Sequence, residues 1–238
     1  MDPATRPDVI IVGAGITGAE AAWRLARRGV ATLLVTTSLD TIATLPRDAW
    51  SFEPPPNGLM AALAGEARRP TGWSARALRR GAKRALEHEA ALHVVQSTVV
   101  EVLRDSHGAV CGVATWEGVE RRAPRVALCV GSFLCARLRV GVSEQRAGRL
   151  SELADDSLYQ QLCDLGVTFT PRRLELAGDA DVPGYRVDHM VLAADAVAPD
   201  GAVVGLRGLY AFGLCAGGPA DVGASAAAGA HAANVLAT

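Results

Sequence analysis

Aromatic residues are scarce: only 5% of the 238 positions are Phe, Trp or Tyr, although half are hydrophobic. The core must therefore be built from Ala, Val and Leu. Cysteine is sparse too, and badly spaced for metal. Cys111, Cys129, Cys135, Cys163 and Cys215 form no C-x-x-C pair, which argues against a zinc site, and no metal ligand is nominated. Five thiols, an odd number, without a secretory signal fit a reducing compartment. A cytoplasmic location is expected. Met1 to Pro7 lacks the apolar stretch of a signal peptide. The longest apolar runs are strand-sized, so no membrane contact is expected. A formal net charge of −1 gives no global field for nucleic acid or anionic lipid. The length suits one domain over 1–238, with a small lobe formed by about 140–207.

What the chain does have begins at Val9 to Val12, four β-favouring apolar residues that suit a strand buried on both faces. Gly13, Gly15 and Gly18 follow at G-x-G-x-x-G spacing, and a helix-forming run starts at once. Gly13 permits the tight turn, Gly15 lets a pyrophosphate approach the backbone, and Gly18 lets the helix pack on the strand. Free N–H groups at the helix start face the phosphates. The expected cradle is Gly13, Ala14, Gly15, Ile16, Thr17 and Gly18, with Ala22, Leu25 and Ala26 on the helix's inner face. Gly29 closes the helix, and Ala31 to Val35 supplies a second strand. A dinucleotide site is expected.

Such sites usually end the second strand with Asp or Glu, which bonds the adenosine ribose. Here Thr36, Thr37 and Ser38 stand there, with Asp40 beyond. Either a hydroxyl replaces the carboxylate, or Asp40 reaches back, or Asp40 only caps a turn. Residues 44–72 are rich in Pro and Gly and read as irregular, with one short helix near Leu59–Arg68. Ser74 caps a helix reaching about Ala90. Its positives Arg76, Arg79, Arg80, Lys83 and Arg84 form either a solvated face or a phosphate contact.

From Leu92 the period changes. Leu92 to Gln96, Val99 to Leu103, Val110 to Thr115 and Ala123 to Val130 read as four strands, the last ending in Gly131-Ser132. His107 falls in a turn and is expected to be exposed. The expected fold is α/β: a Rossmann-like FAD/NAD(P)-binding domain of the glutathione-reductase type, with parallel sheet, helices and a β-meander crossover. Ser151 is expected to cap a helix to about Leu165, with Leu153, Leu158, Leu162 and Leu165 as its apolar face. Pro183 to Ala194 suggests short strands. Tyr185 and His189 are the aromatic acid–base candidates there, and neither receives a role. Gly208 to Gly213 reads as a strand returning beside the first. Leu214 stands where many FAD enzymes carry an Asp, so backbone around Gly213 to Gly218 must make the ribityl contact. Asp221 caps a final helix whose small residues, Gly223 among them, permit close approach. Cys215 is either a small turn residue or a redox thiol.

In several segments the chain resembles the glucose-inhibited division protein A family, flavoproteins of tRNA wobble-uridine modification. The segments are Gly18-Ala-Glu20-Ala-Ala22, Leu39-Asp40-Thr41-Ile42, Arg76-Ala-Leu-Arg79, Val130-Gly131-Ser132-Phe133-Leu134, Arg146-Ala-Gly148-Arg149 and Gly208-Leu-Tyr210-Ala-Phe-Gly213. Together they cover most of the chain in pieces. The Leu-Asp-Thr-Ile and Val-Gly-Ser-Phe-Leu pieces are the more specific. A folate-dependent tRNA methyltransferase family is similar at Glu20-Ala-Ala-Trp23.

The resemblance implies FAD as cofactor, held by the glycine cradle, by Thr36, Thr37, Ser38 and Asp40, by Gly131 and Ser132, and by Gly213, Leu214 and Gly223. The departures bear on activity. The family's Cys-Asn-Pro-Ala-Ile-Gly-Gly motif is replaced by Leu45-Pro-Arg-Asp-Ala-Trp50-Ser-Phe, without a thiol. Its substrate insertion and helical C-terminal domain are expected to be missing. Three classes remain: a redox flavoprotein, a flavin-carrying subunit completed by a partner protein or a second copy, and an NAD(P)-dependent oxidoreductase. Contact with tRNA is expected to be weak or to run through a partner, and no catalytic residue is assigned.

Overall fold

The computed structural model describes residues 3–45, 52–178 and 182–238. In chain order its principal strands are β1 (Val9–Val12), β2 (Thr32–Thr36), β3 (Leu92–Gln96), β4 (Val99–Arg104), β5 (Val110–Thr115) and β6 (Glu120–Arg122). They continue with β7 (Arg125–Leu128), β8 (Arg137–Val140), β9 (Ser143–Gln145), β10 (Phe169–Leu176), β11 (Tyr185–Leu192) and β12 (Leu209–Ala211). The main helices are α1 (Ile16–Arg27), α2 (Ala75–Glu87), α3 (Ser157–Asp164) and α4 (Val222–Leu236).

Five strands form a parallel sheet in the order β12-β7-β1-β2-β3. β1 lies at its centre with every residue buried, which is why its sequence shows no polar alternation. Val9 to Val12 stand opposite Thr32 to Val35 on one side and Arg125 to Leu128 on the other. Between β3 and β7 the chain makes the antiparallel meander β4-β5-β6. A second antiparallel sheet, ordered β9-β8-β11-β10, is built from residues 137–192.

Three helices, α1, α2 and α4, share one side of the central sheet. α1 buries Ala19, Ala22, Leu25 and Ala26, and Gly29 ends it at φ +79°. α4, capped by Asp221 accepting from Ala224 N at 2.7 Å, lies directly on α1. A Cβ added at Gly229 would sit 2.5 Å from the Thr17 carbonyl oxygen and 2.7 Å from Glu20 Cβ. Thr17 Oγ1 donates to the Ser225 carbonyl at 3.0 Å. The expected Ser74 cap of α2 is present, its hydroxyl accepting from Ala77 N.

Four sequence expectations need correction. The returning strand β12 pairs with β7, so β7 separates it from β1. The helix expected from Ser151 starts at Ser157 instead. Ser151 takes φ +63° in a tight turn between the paired segments Ala147–Arg149 and Glu152–Leu153, which leaves Leu153 67% exposed. The Leu59–Arg68 helix is two single turns, Leu59–Ala62 and Ala64–Ala67, broken at Leu63. The short strands expected near residue 190 are one eight-residue partner of a hairpin, β11, paired along its whole length with β10. Most of the segment that replaces the family's cysteine motif, from Pro46 to Ser51, lies outside the described residues.

Candidate dinucleotide cleft

The turn after β1 is held by Gly13 N donating to Val35 O at 2.7 Å. Gly13 has φ +100°, and a Cβ there would meet the Cys129 carbonyl oxygen at 2.6 Å. A Cβ on Gly18 would overlap the Gly13 carbonyl, so helix and loop pack at backbone contact. Gly15 differs: among the described residues nothing lies within 4 Å of its added Cβ. That open space lies at the start of α1, where Gly15 provides no side-chain cap. The first-turn amides of α1 have no helical acceptor and point at this space. A cradle of that form fits a pyrophosphate. The Ala14 carbonyl meanwhile accepts from Ala43 N at 2.8 Å, with Ala43 at φ +48°, and so anchors the turn containing Thr41 and Thr44.

A cleft opens in front of this loop, across the carboxyl ends of the parallel strands. Gly13, Ala14, Gly15, Ile16, Thr17, Thr36, Thr37, Gly131, Ser132 and Leu214 all line it. Ser132 Oγ also donates to the Gly148 carbonyl at 2.8 Å, tying the floor to the second sheet's connections. The other expected residues do not line it. Gly18 lies under the loop. Ser38 Oγ accepts from Asp40 N at 3.2 Å. The Asp40 carboxylate is 92% exposed and 3.7 Å from Lys83 Nζ. Gly213, at φ +74°, backs onto Thr17 Oγ1, and Gly223 sits beside Asp221 and Phe52. Asp221, Val222 and Ser225 bring the start of α4 into the same cleft.

Polar groups that sequence reasoning did not assemble complete both ends. At one end Thr41 Oγ1 donates to Glu152 Oε2 at 3.0 Å, and Arg149 Nη1 donates to Glu152 Oε1 at 2.9 Å. Tyr185 lines the wall beside them, its phenol pushed up mainly by burial, with Glu152 adding to the rise and Arg149 opposing it. Thr44 Oγ1, in the adjoining turn, is buried and has no hydrogen-bond partner among the described residues. At the other end Ser97 and Thr98 line the cleft beside Thr36 and Thr37, and Ser97 Oγ donates to Glu117 Oε2. No local motif marks either group, because each joins residues far apart in sequence.

The remaining candidates lie elsewhere. Cys215 is fully buried, its thiol donating to the Leu128 and Phe212 carbonyls at 3.3 Å, and burial pushes its pKa up to about 11. It is a turn residue in geometry and in chemistry. His189 is 3% exposed within β11 and does not line the cleft. His107 is exposed in its turn. On α2, Arg84 pairs with Glu66 and Lys83 with Asp40, while Arg76 and Arg80 are exposed. Among the described residues no group of three or more His, Cys, Asp or Glu is placed to hold a metal. No helix among them is long and apolar enough to cross a membrane.

Comparison with known proteins agrees with this geometry. The family model described as Glucose inhibited division protein A matches residues 8–49 and 57–175. The tRNA uridine 5-carboxymethylaminomethyl modification enzyme MnmG of Parabacteroides distasonis is 33% identical over 205 residues, covering 71% of this chain and 32% of its own. The chain thus spans about a third of the length of the curated relatives it matches. The crystal structure of the GidA-related protein from Thermus thermophilus is 35% identical, with TM-score 0.87 and 97% of both chains covered. Aquifex aeolicus GidA shares the fold at 15% identity, with TM-score 0.87 over 98% of this chain and 63% of its own. The fold is of the Rossmann-like glutathione-reductase type, and the chain belongs to the glucose-inhibited division protein A family.

Proposed function

We propose that this chain binds FAD along the cleft and works as a flavin-carrying redox protein. One observation carries the reading: the glycine loop after β1 and the start of α4 open into the same cleft. A nicotinamide site needs only the first. A flavin site needs a return segment at the ring end as well, and β12 with α4 supplies one. FAD would contribute two-electron redox chemistry. The chain's own residues bind and orient it. The amides of α1 take the pyrophosphate, and the positive end of α4 favours negative charge on a reduced ring. Thr41, Arg149, Glu152 and Tyr185 form the substrate-facing end.

The MnmG relatives are named as tRNA uridine modification enzymes, and a uridine-containing RNA is the substrate class proposed here. Within the α2 basic cluster Lys83 and Arg84 are held in ion pairs, and the formal net charge is −1, so RNA affinity of this chain is expected to be weak and salt-sensitive. A partner protein or a second copy is proposed to supply the remaining RNA contacts. The test is absorbance of the purified protein with mass spectrometry of the released ligand, then titration with FAD. Flavin bands and stoichiometric FAD are expected. A colourless protein that refuses FAD would overturn the reading. Incubation with undermodified tRNA, reductant and a one-carbon or glycine donor should leave the wobble uridine unchanged until a partner is added.

A further inference from the structure

Resting on the FAD reading, we infer that Ser97, oriented by Glu117, is the residue that recognises the adenosine ribose. In sites of this fold a carboxylate at the end of the second strand accepts the ribose hydroxyl. The end of β2 has no such group. Its nearest carboxylate in sequence, Asp40, is 92% exposed and paired with Lys83. The cleft wall at this end is made of hydroxyls: Thr36, Thr37, Ser97 and Thr98.

Ser97 is singled out by its surroundings. It follows β3, its backbone N–H donating to the Thr36 carbonyl at 2.8 Å, so it sits level with the end of β2. It is 8% exposed, and it lines the cleft. Glu117 reaches it from the turn between β5 and β6, which Trp116 N holds against the Thr98 carbonyl at 3.0 Å. Ser97 Oγ donates to Glu117 Oε2 at 2.5 Å. Among the described residues none of the ion pairs involves Glu117. Its hydrogen bonds, that from Ser97 foremost, hold the carboxyl below its ordinary range, so it is ionised at neutral pH.

A serine hydroxyl has one proton and two lone pairs. With the proton committed to Glu117, the oxygen can only accept. It then offers a ribose O–H the role that the missing carboxylate plays elsewhere, strengthened by the charge behind it. Glu117 never touches the ligand in this arrangement. It is a positioning residue that acts through Ser97.

The test uses the full chain loaded with FAD and displaces the flavin with ADP, 2′-deoxy-ADP or 3′-deoxy-ADP, reading flavin fluorescence. Wild type should prefer ADP over at least one deoxy analogue by about fivefold to tenfold, the upper range of one ordinary hydrogen bond. Ser97→Ala should bring that ratio close to one. Glu117→Gln, which keeps the shape and removes the charge, should lower it by about half or more. Melting temperatures of the variants show that the fold is intact, and a purely structural role would shift those while leaving the ratio alone. An unchanged ratio in Ser97→Ala, or no discrimination by wild type, overturns the inference. A wild-type protein that binds FAD yet shows either result refutes only this inference. One that binds neither FAD nor ADP refutes the cofactor reading itself.

Discussion

Glu20 and Met60 are joined by a buried hydrogen bond: the Met60 N–H donates to Glu20 Oε2 at 3.0 Å, and the glutamate has no solvent exposure. Its other oxygen accepts from Arg24 Nε at 2.7 Å, and Arg24 in turn donates to the Pro56 carbonyl. One carboxylate therefore pins the irregular segment around Pro56 to Met60 onto α1. Glu20→Ala is expected to cost about 3–5 kcal/mol, because it strands a largely buried guanidinium and a backbone N–H. Glu20→Gln keeps an acceptor and should cost less. Urea midpoints of the two variants check the order.

Gly15→Val should separate folding from ligand binding. The added side chain enters the open space in front of α1 and meets no described protein atom at its Cβ. Stability of the ligand-free protein is expected to stay within about 0.5 kcal/mol of wild type, while FAD retention falls sharply. Stoichiometric flavin in the purified variant would show that the phosphate cradle has been misplaced.

Gly229→Ala should do the reverse. Its Cβ meets backbone, the Thr17 carbonyl, which cannot rotate aside. Overpacking there is expected to cost about 1–3 kcal/mol, lowering the melting temperature by roughly 2–12 °C in a domain of this size. Thermal unfolding followed by circular dichroism gives the answer directly.

His189 should make stability fall in mild acid. Burial lowers its pKa from 6.5, with Arg172 acting the same way and the Val187 carbonyl and Asp188 opposing. Its Nε2 has no partner among the described residues. The folded state therefore binds a proton less readily than the unfolded state. The stabilisation is complete above pH 6.5 and is lost as pH falls toward the lower folded-state value, by at most about 1.4 kcal/mol per pH unit. Urea midpoints should drop more in wild type than in His189→Leu between about pH 7.5 and about pH 5.0, a window that brackets the ordinary histidine range.

Thiol labelling should split the cysteines. Burial raises both Cys129 and Cys215, the latter to about 11. Iodoacetamide at about pH 8 is expected to spare these two in the native protein and to modify them in urea, as peptide mass mapping would show.

The features legible in the sequence were those whose causes lie within a few neighbouring residues. Gly13, Gly15 and Gly18 could be assigned separate jobs because turn, ligand space and helix packing all act within one short loop. The caps at Ser74 and Asp221 are equally local. The place of β12 beside β7 was not legible, since a short apolar strand fits any gap in a parallel sheet and only the crossovers decide which. Leu158 and Leu162 share one helical face, but Leu153 stands five residues before Leu158, off that face, and the turn at Ser151 keeps it out of the helix. The site's polar ends were invisible for a related reason. Thr41 and Glu152 are 111 residues apart, and Ser97 meets Glu117 only because the meander folds back. For Asp40 the sequence left several roles open, and the structure places its exposed carboxylate 3.7 Å from Lys83 Nζ.

The bond between Thr17 and Ser225 spans 208 residues, so the two walls of the cleft that it joins are made at well-separated times during synthesis. At about 5–20 residues per second, roughly 10 to 40 seconds separate their emergence from the ribosome. During that interval the phosphate loop can form, but the helix that closes the far end does not yet exist. A ligand that needed both walls could therefore load only late in the making of this domain. The nascent protein must keep an unfinished cleft, with its apolar sheet centre, out of trouble until α4 arrives.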